Sequence, residues 1–221
     1  MPKIETDAKG IPVKADHPAV AMGIPIPIFY LIFNGIMLSI GLAVAYFIAF
    51  PNDHKSASKI ATLASLDLGW LYLGAWVLKL GALMLGINLG SARLASKVAV
   101  PDQHCYQVKG AEGSKLGYVL METEGDIGKF NRAQRALQNY NEIFPMFVLM
   151  FVLAAFVCPF AAFMCACVFA AARAIQAVGY TKETDGRIPG TMLGLLATTV
   201  LEAIVLLAGI SAVDGDALPL L

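Results

Sequence analysis

The central stretch of the sequence is Phe130-Asn131-Arg132-Ala133-Gln134-Arg135-Ala136-Leu137-Gln138-Asn139-Tyr140-Asn141-Glu142-Ile143-Phe144-Pro145. It begins polar and charged and runs without a break into an apolar segment. On a helix that turns about 100° per residue, Arg132, Arg135, Asn139 and Glu142 fall within roughly 80° of one another. Such groups at the membrane end of a helix normally face a bundle interior or a water-filled cavity. The stripe therefore predicts either a ligand site or a salt-bridged subunit interface.

The composition places this stretch in a membrane protein. Of the 221 residues, 58 % are hydrophobic and 14 % are charged, and the mean hydropathy is +0.69. A soluble domain cannot cover that much apolar surface, so we predict an all-α integral membrane protein. The net charge is zero, which gives no indication of nucleic-acid binding. The three histidines and four cysteines show no metal-ligand spacing, so no metal site is expected.

Five segments are apolar and long enough to cross a membrane as helices. They are predicted over residues 24–51, 66–92, 130–158, 160–180 and 188–212. Pro159 interrupts an apolar run that is too long for one span, so two helices should meet there at a tight turn. Pro145 is expected to kink the helix that contains it.

The segments between the spans are more polar, and two charges lie inside spans. Residues 52–65 are expected to form a short loop, and residues 93–129 a long loop with a hairpin over 117–122. Lys79 and Glu202 fall within predicted spans. Because a charge inside a membrane needs a partner or a cavity, these two side chains are expected to pair. The alternatives are a catalytic role for Lys79 and an ion or proton pathway through the two charges.

The loop charges define an orientation. With five spans, ten lysines and arginines fall on one side of the membrane and two on the other. The positive-inside rule therefore places the N-terminus and the long loop in the cytosol. The same orientation brings the polar ends of four spans to the cytosolic face. The side chains are Arg93, Arg132, Arg135, Asn139, Glu142, Gln176, Tyr180 and Arg187. Their convergence predicts one polar pocket.

Such a pocket suits an anionic, peptide-like molecule from the cytosol, beside an apolar partner from the bilayer. Arginine binds carboxylates with paired donors, and Glu142 is suited to hold an ammonium group. The sequence offers no Ser-His-Asp or Cys-His arrangement for nucleophilic catalysis and no phosphate-binding glycine loop. The nucleophile of any reaction must therefore arrive with the ligand.

Residues 130–139, followed by Glu142 and Pro145, resemble the signature of the MAPEG family, the membrane-associated proteins in eicosanoid and glutathione metabolism. The similarity is closest to the type three microsomal glutathione transferases and covers the last four spans, over residues 88–209. Further matching residues are Asn88, Ala92, Arg93, Pro101, Arg173, Gly179, Tyr180, Thr181 and Arg187.

The resemblance implies a fold and a co-substrate. Residues 66–221 would form the family's four-helix transmembrane domain, preceded by a polar tail over 1–23 and an extra N-terminal transmembrane helix and loop over 24–65. The family implies a homotrimer that binds glutathione between neighbouring subunits. By this resemblance, Arg135, Asn139, Glu142 and Tyr180 hold glutathione, Arg93 reaches in from the adjacent subunit, and Arg187 stabilises the thiolate. Arg132 and Gln176 complete the predicted binding set.

The activity implied is a glutathione-dependent transferase or peroxidase that acts on lipophilic electrophiles or lipid hydroperoxides from the bilayer. The sequence departs from the family pattern at three positions. Leu94 stands where several members have a second basic residue. Leu137 stands where the family has His or Gln, and Gln176 where it has Tyr. The change at Leu94 argues against leukotriene synthesis. The alternative is a catalytically weakened homologue that serves as a structural subunit or scaffold of a larger membrane assembly. The expected membrane is that of the endoplasmic reticulum, with mitochondrial and plastid membranes as alternatives.

Overall fold

The computed structural model describes residues 13, 17–49, 54–97 and 122–214, and these residues are almost entirely helical. The helices are α1 (Pro18–Ala21), α2 (Ile26–Ala49), α3 (His54–Ser65), α4 (Gly69–Ser96), α5 (Gly125–Ala155), α6 (Pro159–Lys182) and α7 (Ile188–Asp214), with a 3-10 turn at Asp185–Arg187. No strand occurs within the described residues. The prediction of an all-α fold is confirmed.

Four helical segments have the length and composition needed to cross a membrane. They are Ile26–Tyr46, Gly69–Ser96, Pro159–Lys182 and Asp185–Val213. The span predicted over 130–158 lies on α5, which is not among the four. The reason is the polar first half of α5, because only its second half is a continuous apolar run. The predicted membrane-type helical bundle is confirmed, with α5 as its least apolar long helix.

Helices α4 to α7 pack as one bundle, and α6 contacts the other three. Helix α4 runs parallel to α6, because its Gly81 lies against Ala170 and its Asn88 against Ala177. Helices α5 and α7 run antiparallel to α6. The C-terminal ends of α4 and α6 therefore lie beside the N-terminal ends of α5 and α7. We call this end of the bundle the polar end.

The opposite half of the bundle is an aromatic core. Phe147, Phe151 and Phe169 are each at most 1 % exposed, and the Phe147 and Phe169 rings stack with their centres 3.7 Å apart. Gly74 on α4 lets this helix approach closely, because a Cβ there would lie 2.5 Å from the Phe151 ring. Leu201 completes the core from α7.

The predicted turn at Pro159 is confirmed. Helix α5 ends at Ala155 and α6 begins at Pro159, which occupies the first helical turn, where its missing N–H leaves no helix bond unmade. Helix α5 is assigned as one helix through Pro145 and begins at Gly125, five residues earlier than expected. Gly125 has φ +60°, a left-handed conformation that glycine adopts readily.

The loop predicted over 52–65 was wrong, because His54–Ser65 forms α3. This segment contains no glycine or proline, and its alanines, lysines and leucine favour helix. The Thr62 and Ser65 hydroxyls donate to the Ser58 and Thr62 carbonyls. These polar side chains therefore form hydrogen bonds within the helix itself. A polar composition was therefore mistaken for irregular structure.

The predicted long loop, hairpin and N-terminal tail lie partly or mostly outside the described residues. The long loop is shorter than predicted at both ends, since α4 continues to Ser96 and α5 starts at Gly125. The hairpin predicted over 117–122 lies almost wholly outside the described residues. So does most of the tail over 1–23, although Pro18–Ala21 is a helical turn capped by His17, whose Nδ1 accepts from the Ala19 N–H.

Helix α2 lies outside the bundle and packs mainly on α4. Its contact is at Gly90, where a Cβ would lie 2.8 Å from the Tyr30 ring and 3.4 Å from Ile26. None of the apolar window of α2 is buried within the described chain.

The predicted pairing of Lys79 with Glu202 was wrong within one chain. The Lys79 ammonium lies 5.2 Å from the centre of the Trp76 ring on its own helix, and Glu202 is exposed on α7. Both α4 and α7 pack on α6, with no substantial contact between them. The sequence places both charges in spans but does not show that these two helices lie on different flanks of the bundle.

Candidate functional site

The polar end gathers side chains from four helices. Asn88 on α4 donates from Nδ2 to the Thr181 hydroxyl at 2.8 Å, which ties α4 to the end of α6. Glycines let the α6–α7 connection fold back tightly. A Cβ on Gly190 would collide with the backbone of Gln176 and Ala172, and one on Gly179 with the carbonyl of Gly186.

Arg132 binds the backbone at the end of α6. Its Nε donates to the Tyr180 carbonyl at 3.0 Å, and its Nη2 to the carbonyls of Thr181 at 3.2 Å and Lys182 at 3.3 Å. Its Nη1 donates to the Thr123 carbonyl at 2.6 Å. The last carbonyls of a helix lack intrahelical donors and carry partial negative charge, so a guanidinium stabilises them. Arg132 thus joins the start of α5 to the end of α6.

Arg135 and Glu142 form an ion pair along α5. The Arg135 Nη1 lies 3.0 Å from the Glu142 Oε1, two helical turns away. The two side chains are 50 % and 47 % exposed, so the pair is open to solvent and to ligands. An exposed ion pair of this kind contributes at most about 1 kcal/mol to stability. Replacing this ion pair with ligand contacts therefore costs little free energy.

Asn139 is the centre of a buried network between α5 and α6. Its Oδ1 accepts from the Arg173 Nη2 at 2.7 Å and from the Gln176 Nε2 at 3.3 Å. Arg173 is 4 % exposed and Gln176 is 8 % exposed. The Arg173 Nε and the Tyr140 hydroxyl are buried without a hydrogen-bond partner among the described residues. The network is therefore only partly satisfied, which is unusual for buried polar groups.

Arg173 was not among the predicted site residues, although it organises this network. Its signal was in the sequence: it is charged within the apolar run of α6 and shares a helical stripe with Gln176 and Tyr180. Tyr140 had no such signal, because an aromatic residue next to an apolar run is usually part of the core.

Tyr180 and Arg187 form the next pair around the polar end. The Arg187 guanidinium lies 5.3 Å from the centre of the Tyr180 ring, a cation–π distance. The 3-10 turn at Asp185–Arg187 returns the chain toward α6 and places this arginine there. Arg187 is exposed and Tyr180 is partly buried.

Arg93 lies on the α4–α5 side of the polar end. It is 8 % exposed, and its guanidinium is 5.3 Å from the centre of the Phe130 ring. Within one chain Arg93 thus packs inward on α5. Leu137, one of the family departures, packs against both apolar clusters of the bundle, the one that contains Phe147 and the one that contains Phe130.

The structure therefore brings the predicted residues to one end of the bundle in distinct groups. Asn139 and Gln176 share a network, Arg135 pairs with Glu142 on the same helix as Asn139, and Tyr180 pairs with Arg187. Arg132 binds backbone carbonyls at the end of α6, and Arg93 packs on Phe130 near the start of α5. In residues 17–49, 54–97 and 122–214 no group of three His, Cys, Asp or Glu residues is arranged to hold a metal.

These features define a multi-pass helical membrane protein with a cationic, amide-rich cluster at one end of its bundle. A sequence model of the MAPEG family matches residues 69–207, more than half of the chain, and the chain belongs to this family. The match begins at the first residue of α4 and ends within α7, so α2 and α3 lie outside it. The family includes glutathione transferases and peroxidases as well as non-catalytic members. Comparison with curated proteins gave no match.

Proposed function

We propose that this protein is a glutathione-dependent membrane transferase or peroxidase, of the kind found in the type three microsomal glutathione transferases. Among the polar-end contacts, the exposed Arg135–Glu142 ion pair beside the Asn139 network carries this proposal. Membership of the MAPEG family supports it.

The ion pair is chemically suited to a zwitterion. The γ-glutamyl end of glutathione bears an ammonium and a carboxylate on one carbon. On binding, its carboxylate takes the Arg135 guanidinium and its ammonium takes Glu142, so one exposed ion pair is replaced by two. Charge-assisted hydrogen bonds of this type are about twice as strong as neutral ones.

The amides beside the pair suit the peptide part of glutathione. Asn139 and Gln176 present side-chain amides at the α5–α6 contact, and Tyr180 presents a phenol at the end of α6. Peptide carbonyls and N–H groups need such donors and acceptors when they leave water. In the homotrimer that the family implies, Arg93 would have to turn away from the Phe130 ring of its own chain to add a positive charge to the adjacent subunit's site. We assign Arg132 an anchoring role, because its donors bind the end of α6.

Arg187 is the proposed catalytic residue. A neighbouring cation favours the thiolate over the thiol of glutathione, and Arg187 is exposed beside the Tyr180 ring, one of the proposed binding residues. In the transferase reaction the thiolate forms a carbon–sulfur bond to a lipophilic electrophile as the leaving group departs with its electron pair. In the peroxidase reaction it attacks the terminal hydroperoxide oxygen and the O–O bond breaks, which yields an alcohol after protonation and glutathione sulfenic acid. A second glutathione then gives the disulfide and water.

We propose that the lipophilic substrate enters from the bilayer, because the chain belongs to a membrane family and apolar substrates concentrate there. The endoplasmic reticulum is the proposed membrane, with mitochondrial and plastid membranes as alternatives.

The test is turnover by the purified full chain with glutathione and either a chlorodinitrobenzene or a lipid hydroperoxide. Arg187→Ala should lower turnover by about tenfold for each pKa unit of lost thiolate stabilisation, with glutathione binding retained. The ultraviolet absorbance of bound thiolate should fall in parallel. The matched control is Lys129→Ala, which removes a cation from the exposed start of α5, where it pairs with Asp126. Equal turnover in wild type and Arg187→Ala would contradict the assignment.

A scaffold function is the second candidate, favoured by two observations. Leu137 fills an apolar position where the family has His or Gln, and α2 projects from the bundle with an unburied apolar window. A scaffold should co-purify with membrane partners through α2, and deletion of residues 24–51 should release them. An unchanged set of partners after the deletion would contradict the scaffold function.

A further inference from the structure

Two charged side chains lie within the apolar helices, away from the polar end. Lys79 is exposed on α4, and Glu202 is exposed on α7. Lys79 contacts the Trp76 ring, whereas Glu202 forms no ion pair with any described residue. Charges at such positions are unfavourable in a bilayer unless they face a partner of opposite charge. Each side chain therefore needs a partner group from outside this single chain.

The two charges lie at the same depth. Lys79 precedes Arg93 by 14 residues on α4, and Glu202 follows Arg187 by 15 residues into α7. At 1.5 Å per residue, each lies about 21–23 Å from the polar end along its helix. A contact between α4 of one copy and α7 of another in the same membrane would therefore bring the two charges level.

Each charge lies on an exposed stripe of its helix. The Lys79 face of α4 consists of Tyr72, Trp76, Lys79 and Leu80, and the Glu202 face of α7 consists of Leu195, Thr199, Glu202 and Leu206. Apart from the charges, both faces are mainly apolar, as helix surfaces in lipid or at a subunit contact are. Helix α2 packs on α4 at Gly90, nearer the polar end, and leaves Lys79 exposed.

The two faces cannot meet within one protomer, because α4 and α7 pack on α6 without substantial contact with each other. Complementary faces on different flanks of one molecule make a head-to-tail contact, which forms a ring of copies when the rotation between neighbours closes. A second copy carries both the missing acid and the missing base at the required depth. A different partner would have to supply both separately.

We propose that the Lys79 face of α4 docks on the Glu202 face of α7 in a neighbouring copy, and that Lys79 and Glu202 form an ion pair across this contact inside the membrane. The pair sets the depth and register of the two helices, because a shift along either helix would leave two charges unpaired in an apolar setting. This inference does not depend on glutathione binding, and it would hold equally for a scaffold.

A charge exchange tests the pair in the purified full chain. Lys79→Glu and Glu202→Lys, each alone, should raise the dissociation constant of the oligomer by roughly tenfold or more. The double variant should restore it. Copy number is measured by native mass spectrometry from detergent micelles, and helix content by circular dichroism. Lys129→Glu, at the exposed start of α5, is the matched control and should leave the oligomer unchanged.

Cysteine cross-linking in membranes covers the case in which a charge reversal prevents folding. One tagged copy carries Lys79→Cys and a second, differently tagged copy carries Glu202→Cys, with the native cysteines replaced by alanine. Oxidation should link the two copies. Leu195→Cys in place of Glu202→Cys is the control, because it lies on the same stripe about 10 Å nearer the polar end and should link poorly.

The proposal is overturned by any of four results. These are a monomeric wild type, single reversals that leave the oligomer intact, a folded double variant that stays dissociated, or cross-linking at Leu195→Cys equal to that at Glu202→Cys. A wild type that is monomeric but binds glutathione would overturn this proposal and leave the proposed function standing.

Discussion

Helices α5 and α6 meet along their length, but the two halves of the contact are built from opposite chemistry. In one half, the Phe147 and Phe169 rings stack with their centres 3.7 Å apart among mainly apolar side chains. In the other half, one helical turn further along α6, Arg173 is buried and donates to Asn139. The Arg173 guanidinium also lies 5.7 Å from the Phe169 ring, so the two halves adjoin directly.

The aromatic half of the contact stabilises the fold, whereas the polar half has groups that remain available to bind a ligand. The aromatic half is tightly packed, and the stacked Phe147 and Phe169 rings have no hydrogen-bonding groups. The polar half contains buried atoms without partners, the Arg173 Nε and the Tyr140 hydroxyl, within the described residues. Beside them lies the exposed Arg135–Glu142 pair. We expect substitutions in the aromatic half to affect stability and substitutions in the polar half to affect ligand binding.

The largest effect is expected in the aromatic half. Phe147→Ala removes a fully buried ring and leaves a cavity, which should lower the free energy of unfolding by about 3–5 kcal/mol. Thermal unfolding in detergent measures this. Leu149→Ala, on the exposed side of the same helix, is the control and should have little effect. A Phe147→Ala protein as stable as wild type would show that this half does not hold the fold.

Arg173 tests whether the polar half also contributes to stability. Arg173→Met keeps the length of the side chain but removes the 2.7 Å hydrogen bond to the Asn139 Oδ1. We expect a loss of about 2 kcal/mol in unfolding free energy, since hydrogen bonds to charged groups contribute about 1.5–3 kcal/mol. Glutathione binding should weaken as well, because Asn139 loses its fixed orientation. Calorimetric binding with unchanged affinity would show that the network and the ligand site are separate.

The smallest effect is expected at Arg132. Arg132→Gln removes donors to the carbonyls of Tyr180, Thr181 and Lys182, so the end of α6 should fray. A helix-end contact of this kind contributes about 1 kcal/mol, and its loss should appear as faster amide exchange over residues 179–183. Exchange at wild-type rates would place the anchoring of α6 elsewhere, for example at the Asn88–Thr181 bond.

Sequence periodicity predicts which residues share a face of one helix. It is a weaker guide to contacts between different helices. The break at Pro159 and the convergence of polar side chains at one end were both predicted, because each depends on apolar runs and their order. The divergence of Arg132 from Arg135 was not. They are one turn apart on the same stripe, yet one binds carbonyls and the other pairs with Glu142. Only the position of the α6 terminus decides between these outcomes.

The failed pairing of Lys79 with Glu202 has the same cause. The sequence shows two opposite charges in spans but not that α4 and α7 lie apart, on different flanks of α6. Helix α3 was missed for a different reason. Its polar composition indicated a loop, although Ala57, Ile60, Ala61 and Ala64 recur at helical spacing.

The most direct test of the proposed site is calorimetric titration of the full chain with glutathione, in wild type and in Arg135→Ala. Arg135 donates only to Glu142 among its described contacts, so its removal should spare the fold. We predict that wild type binds and that Arg135→Ala loses about 2 kcal/mol of affinity, roughly thirtyfold, while Lys129→Ala binds as wild type. A folded wild type that does not bind glutathione would contradict the account and favour the scaffold function.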